Sequence, residues 1–256
     1  MASHITIRDL TAADIRVGFQ AALSDFKAAP LSALFVASVF VIAGWLMTWI
    51  TWISGTTFWL VLAVLGFPLV GALAAVGFYE ISRMVGSDMP VSIRIVWQRA
   101  WGSLQGQMPW LAAIIVIVFL FWFFIGHMIF ALFLGLAPMR NVMSSLDVFL
   151  SPAGLQMLAF GSLVGAGFAI LVFSISVLAF PMLIDRDVDF MTALTTSMGA
   201  VIRQPLIYIG WGALIGCVTL LSMVPWFLGL FFTMPVFGFM TWHIYQRVSA
   251  GETPAP

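Results

Sequence analysis

The sequence predicts an all-α fold: a polytopic membrane protein of six transmembrane helices in three hairpin repeats, each preceded by a cytoplasmic amphipathic helix. Three observations predict it. The first is composition. Of 256 residues, 62% are hydrophobic and only 8% are charged, against about 25% charged in globular chains. So few charges cannot cover a water-soluble surface of this size, so lipid is the solvent for much of the chain. The second is a set of six apolar segments, at about 31–53, 57–79, 109–135, 153–180, 206–224 and 226–246. Each is near the ~20 residues that cross ~30 Å of hydrocarbon. The third is the basic residues. Arg8, Arg16 and Lys27 precede the first segment, and Arg83, Arg94 and Arg99 lie between the second and third. Arg186 and Arg203 lie between the fourth and fifth, and Arg247 follows the sixth. With six crossings these share one side and only Arg140 takes the other. The positive-inside rule then puts both termini in the cytoplasm, and a five- or seven-helix count would spoil the asymmetry.

Taken in order, residues 4–29 read as an amphipathic helix lying on the membrane or on its own bundle. Thr11 suits its N-cap, with Asp14 three positions on as a capping-box partner. Ile15, Phe19, Ala22, Leu23 and Phe26 share one face at helical spacing. The first 30 residues hold six charges and no apolar core, so a cleaved signal peptide is not expected. Segments one and two join through Ser54 and Gly55, and five and six through Pro225, so each pair is a hairpin. Trp45, Trp49, Trp52, Trp59 and Trp226 gather at these tips, a placement suited to the headgroup level. Pro68 and Pro235 lie inside segments two and six and should kink them.

A repeat runs through the chain. Polar, amphipathic stretches end at Pro30, Pro109 and Pro205, where proline starts a helix without losing a hydrogen bond. In the second stretch Ile93, Val96, Trp97, Ala100, Trp101 and Leu104 share a face. In the third, Phe190, Leu194, Met198, Val201 and Ile202 do. One membrane domain, 1–256, thus divides into repeats of about 4–83, 90–187 and 188–247. Parallel repeats imply a pseudo-symmetry axis along the membrane normal. The middle hairpin carries the longest outer loop, roughly Ala137 to Ser151.

Motifs that carry chemistry are few. No metal or cofactor is expected. His127 sits toward the outer end of segment three and His243 toward the cytoplasmic end of segment six, so they cannot share a haem. His127 is expected to make an interhelical hydrogen bond, and His243 to be interfacial. The acids Asp185, Asp187 and Asp189 alternate as in a calcium loop, but Phe190 and Thr196 stand where that loop needs Gly and Glu. Capping explains them better: Asp187 or Asp189 starts the next helix. Arg186 is expected to pair with one of these acids or with lipid phosphate. Glu80 and Arg83 end segment two, solvated or paired with Arg186 or Arg203. No charge falls clearly mid-span, which weighs against an ion-coupled transporter. Gly161 and Gly165, and Gly212 and Gly216, form small-xxx-small faces for close helix packing. Cys217 is the only cysteine. The net charge of zero argues against nucleic acid as a partner.

The run Phe180-Pro181-Met182-Leu183-Ile184-Asp185-Arg186-Asp187-Val188-Asp189-Phe190, followed by Ala193, Ser197, Pro205, Trp211-Gly212 and Pro225-Trp226-Phe227-Leu228-Gly229, resembles a family of predicted bacterial integral membrane proteins. That family is known as a domain of unknown function and is frequent in alphaproteobacteria. Asp25-Phe26 and Pro30 fit it too. The likeness covers nearly the whole chain and is specific around 180–230. It implies a multipass inner-membrane protein and carries over no catalytic residues. The expected function is therefore a non-enzymatic structural or accessory subunit that binds other membrane proteins. The alternative is a lipid or small-molecule binder or transporter with a cleft between repeats. A third reading is an enzyme on lipid head groups with Glu80 and the acids of 185–189. The candidate polar, lipid or partner contacts are Glu80, Arg83, His127, Asp185, Arg186, Asp187, Asp189 and Arg203. The expected partners are the bilayer, with other membrane proteins or anionic lipid besides.

Overall fold

A computed structural model describes residues 7–54, 75–87, 89–103, 106–135 and 147–249. The described residues are helical almost throughout, with no strand among them. The helices are α1 (Ala12–Ala28), α2 (Pro30–Ser54), α3 (75–86), α4 (Ile93–Ser103), α5 (Met108–Leu134) and α6 (Asp147–Leu150). They continue with α7 (Pro152–Ser176), α8 (Ala179–Asp185), α9 (Phe190–Arg203), α10 (Pro205–Met223) and α11 (Leu230–Ser249).

Four candidate spans among these residues are long and apolar enough to cross a membrane: Pro30–Ile53, Met108–Leu134, Pro152–Asp185 and Pro205–Met223. Most of the second expected segment, 57–79, lies outside the described residues, with Trp59 and Pro68. So do His4, Arg140 and most of the loop at 137–151. The sixth expected segment differs from the other four. Helix α11 begins only at Leu230, carries His243 and Arg247, and buries twelve of its 20 residues. It packs against α1, α2, α8 and α10, so it serves as the central helix of the bundle. A helix surrounded by other helices has no need of a lipid-facing stripe.

Local rules set most helix ends. Thr11 caps α1 in a full capping box with Asp14. Asp189 caps α9, its carboxylate accepting from the Thr192 N–H at 2.9 Å. Ser151 caps α7 in the same way. Pro30 and Pro205 begin α2 and α10, and Pro109 is the second residue of α5. Pro181 explains the break between α7 and α8. It has no N–H and crowds the carbonyl four residues back, at Val177. Ser197 of α9 repairs the break: its hydroxyl accepts from the Leu178 N–H at 3.1 Å and donates to the Ser174 carbonyl at 2.7 Å.

The face that α1 buries corrects the expectation. Asp14, Gly18, Ala22 and Asp25 are buried, while Phe19 is 44% exposed. The small Gly18 and Ala22 let α1 lie close on α11, and a large side chain on that face would hold the two apart. Ile15 and Phe26 still touch the core from the edge of the contact.

Aromatic rings fill the centre. Phe78 of α3 meets Phe239 edge-on at 5.7 Å and stacks on Phe40 of α2 at 6.5 Å. Tyr79 stacks on Trp242 at 6.2 Å. Gly238 permits this approach, because a Cβ there would lie 2.6 Å from Phe78 Cβ. At the other end, Trp226 and Phe227 turn the chain between α10 and α11 with φ of 54° and 64°. Trp45 Nε1 donates to the Trp226 carbonyl at 2.7 Å, which ties α2 to that turn.

Candidate functional site

Two features stand out: a polar end where charged side chains converge, and an apolar cavity between the helices.

The polar end is sewn together across the whole chain. Arg8 grips Asp14 with both terminal nitrogens, at 2.7 and 2.9 Å. Arg247 of α11 donates to the same carboxylate at 3.2 Å. The arginine bonds hold the Asp14 carboxyl well below the usual carboxylate range, and the Asp14 partnership raises Arg8. Main-chain bonds reinforce the junction. The Arg8 N–H donates to the Val248 carbonyl at 2.9 Å, and Gln204 exchanges two bonds with the Leu10 backbone.

The expected contact residues fall around this end, with one exception. Arg203 donates to the Ile7 carbonyl at 2.7 Å. Arg186 donates to the Ser249 carbonyl at 3.2 Å and lies 3.7 Å from Asp185. Tyr245 also donates to Asp185, at 2.8 Å. Asp189 is the cap of α9, and Asp187 is exposed. Asp189 thus serves as a cap and Asp185 as a tie. Glu80 departs from its expectation. It is 1% exposed, so it is not solvated, and its partners are Arg83 at 2.7 Å and Arg99 at 3.9 Å. Neither Arg186 nor Arg203 fills that role. His127 also departs: its Nδ1 lies 2.8 Å from the Phe123 carbonyl one turn back on α5. The bond is within one helix, so it links no pair of helices.

Sequence reasoning missed the cluster around Asp25. This carboxylate is buried on α1. It accepts from Ser82 of α3 and lies 2.8 Å from His243 Nε2 of α11. Three helices meet on one side chain, and His243, half-buried, is held there by Asp25. The signal was the spacing of Asp14, Gly18, Ala22 and Asp25, which follows one helical stripe. Among the described residues no cluster of His, Cys, Asp or Glu could hold a metal.

The cavity has a volume of about 490 Å³, is partly open, and is lined by α3, α5, α7, α8, α10 and α11. Its described lining is apolar and aromatic, including Phe78, Phe119, Trp122, Phe173 and Phe237, with Gly165, Gly212 and Gly216 between them. It runs along the bundle from Met223 and Met234 toward Tyr79 and Phe180. Among the described residues, three buried polar atoms, all on α10, have no hydrogen-bond partner: Tyr208 Oη, Trp211 Nε1 and Thr219 Oγ1. Thr219 lines the cavity.

The small-residue faces are spent inside this chain. A Cβ at Gly161 would lie 3.9 Å from Ile129, one at Gly165 would lie 3.5 Å from Trp122, and one at Gly212 would lie 3.2 Å from Phe173. Of these, only Gly212, between α10 and α7, is a tight approach; at Gly161 and Gly165 a Cβ would make ordinary contact.

A model of the family described as "Predicted integral membrane protein (DUF2189)" matches residues 59–185, about half of the chain. Over that stretch the chain is similar to DUF2189. Searches of curated proteins and of solved structures find no match. The DUF2189 stretch supplies the cavity walls on α3, α5, α7 and α8, and ends at Asp185. It therefore takes in only the first residues of the signature at 180–230 that carried the resemblance. The four apolar helices agree with an integral membrane protein that contacts the bilayer.

Proposed function

We propose that this integral membrane protein binds a lipophilic small molecule in the cavity between α5, α7, α10 and α11. The observation that carries this reading is the cavity itself. At about 490 Å³ it falls within the roughly 300–1,000 Å³ of small-molecule sites, and its lining is apolar as such sites are. A structural or accessory role with other membrane proteins or anionic lipid as partners is the weaker reading. The glycine faces that motivated it lie against this chain's own helices, except Gly216, whose added Cβ meets nothing within 4 Å. An enzyme on lipid head groups is weaker still, since Glu80 is tied to Arg83 and Arg99 while Asp185 and Asp189 are engaged by Tyr245 and Thr192.

The setting we infer is a bacterial inner membrane crossed six times in three repeats. The bonds of Arg8, Arg186, Arg203 and Arg247 to the Arg247, Ser249 and Ile7 carbonyls and to Asp14 support one basic side, which the positive-inside rule assigns to the cytoplasm. The exposed Ile93, Trp97 and Trp101 of α4 suit a helix lying at the headgroup level.

Gly216→Phe tests the reading. Position 216 lines the cavity with open space in front of it, so the ring enters the void without displacing backbone. Native mass spectrometry of wild type purified in mild detergent should show a retained lipophile that the variant loses. Equal retention by both, or none by wild type, would contradict the proposal.

A further inference from the structure

The cavity offers accessible hydroxyls at one end only. Tyr79 of α3, Ser176 of α7 and Thr241 of α11 line the end beside Phe180, while Trp122, Met223 and Met234 line the other. Ser176 and Thr241 donate to carbonyls of their own helices, at Val172 and Phe237. The Tyr79 hydroxyl has no hydrogen-bond partner among the described residues, although Tyr79 is only 5% exposed. It differs from Tyr208, Trp211 and Thr219, whose unpaired atoms have almost no accessible surface. Tyr79 Oη is not shut off in that way, and Tyr79 lies on the cavity wall. A buried hydroxyl without a partner calls for one, and the cavity is where one can stand.

The rest of the cavity suits a hydrocarbon chain. From Gly212 to Met223 the lining covers about 16 Å of α10 at 1.5 Å per residue. No charged side chain is among the described lining residues, so a charged group inside would be buried without a counter-charge. A charged head must stay outside, and the Tyr79 end has a place for it. Ala75 and Tyr79 on the wall stand four apart on α3, and Arg83, half-buried, is next along that stripe. The cavity is partly open, which lets a chain enter while its head remains out.

We propose that the occupant is a bilayer lipid held by one acyl chain, which runs toward Met223 and Met234 while its ester carbonyl accepts from Tyr79 Oη. This rests on the binding reading above.

The test uses the full chain in nanodiscs of a dialkyl phosphatidylcholine, whose ether linkages carry no carbonyl. The guests are two phosphatidylcholines brominated at the chain ends, one diacyl and one dialkyl, with chains of equal length. Bromine quenches tryptophan on contact, and Trp122 lines the cavity far from Tyr79. The signal absent from Trp122→Phe reports the site, and quenching in excess of that in Gly216→Phe reports occupancy of the cavity. Wild type should take up both guests saturably, the diacyl one about fivefold more tightly, the equivalent of about 1 kcal/mol. Tyr79→Phe loses no hydrogen bond within the chain, so it should bind the dialkyl guest as wild type does and lose the diacyl preference. A diacyl guest brominated beside its esters should quench Trp122 less than the end-brominated one; the reverse order would overturn the orientation. No diacyl preference in wild type, the same preference in Tyr79→Phe, or loss of both guests by that variant would overturn the assignment of Tyr79 while leaving the cavity as a binding site. Quenching of wild type by either guest no greater than that of Gly216→Phe would overturn both.

Discussion

Removing the Asp25 carboxylate should loosen three helices at once. Asp25 of α1 is buried and is shared by Ser82 of α3 and His243 of α11. Its side chain is 8% exposed and that of His243 is 20% exposed, so water reaches the histidine in part and the aspartate hardly at all. Hydrogen bonds to a charged group contribute about 1.5–3 kcal/mol each, and an orphaned buried partner adds its own desolvation cost. Because His243 can rehydrate in part, the sum for Asp25→Ala is about 3 kcal/mol, with the larger share from His243. Asp25→Asn keeps the shape and one acceptor and should cost about half as much. Equilibrium unfolding in mixed micelles, followed by tryptophan fluorescence, measures both. Limited proteolysis should cut first within α1, whose hold on α11 depends on this contact. A double-mutant cycle with His243→Ala isolates the pair. A coupling below about 0.5 kcal/mol, or an Asp25→Ala loss below about 1 kcal/mol, would refute the role assigned to the cluster.

Two further outcomes follow from the same geometry. Asp14 titrates lower in the folded chain than in the unfolded one, chiefly through its Arg8 bonds. Its contribution is therefore complete above the unfolded carboxylate value of about 3.9 and is lost as pH falls through the lower folded value. Stability of wild type should drop below about pH 4, and Asp14→Asn should flatten that acid limb in a pH series of unfolding midpoints. Gly238→Ala would place a Cβ 2.6 Å from Phe78 Cβ. Phe78 is fully buried and cannot swing away, so overpacking should cost about 1–3 kcal/mol. An unchanged melting temperature would count against the close approach of α3 and α11.

Much of the fold is legible in the chain because its causes are local. The apolar runs at 31–53, 109–135, 153–180 and 206–224 each become a helix able to cross a membrane. The caps at Thr11 and Asp189 and the prolines at 30 and 205 sit where short-range hydrogen bonding puts them. The contact site was less legible. The basic residues pointed to one polar end but not to its pairings. Glu80 meets Arg99, which comes from the next helix, and Asp25 meets His243, which stands 218 residues away.

Hydrophobic periodicity, for its part, found only part of the buried face of α1: Ala22 is buried and Ile15 and Phe26 touch the core, but Phe19 is exposed. It ranks positions by side-chain apolarity, and so it favoured Phe19. The packed bundle ranked them by how closely two backbones could approach and by which acids found partners, and so it buried Gly18, Ala22, Asp14 and Asp25. The last helix packs in the same way: α1, α2, α8 and α10 lie against it, and twelve of its 20 residues are buried. The cavity is the furthest from any sequence signal, because six separate helices line it and no local pattern records the space between them. Short-range chemistry therefore set which residues became helices and where those helices ended. Which side chains were paired, buried or left facing an open space depended on tertiary packing, since those outcomes follow from distances between segments far apart in the chain.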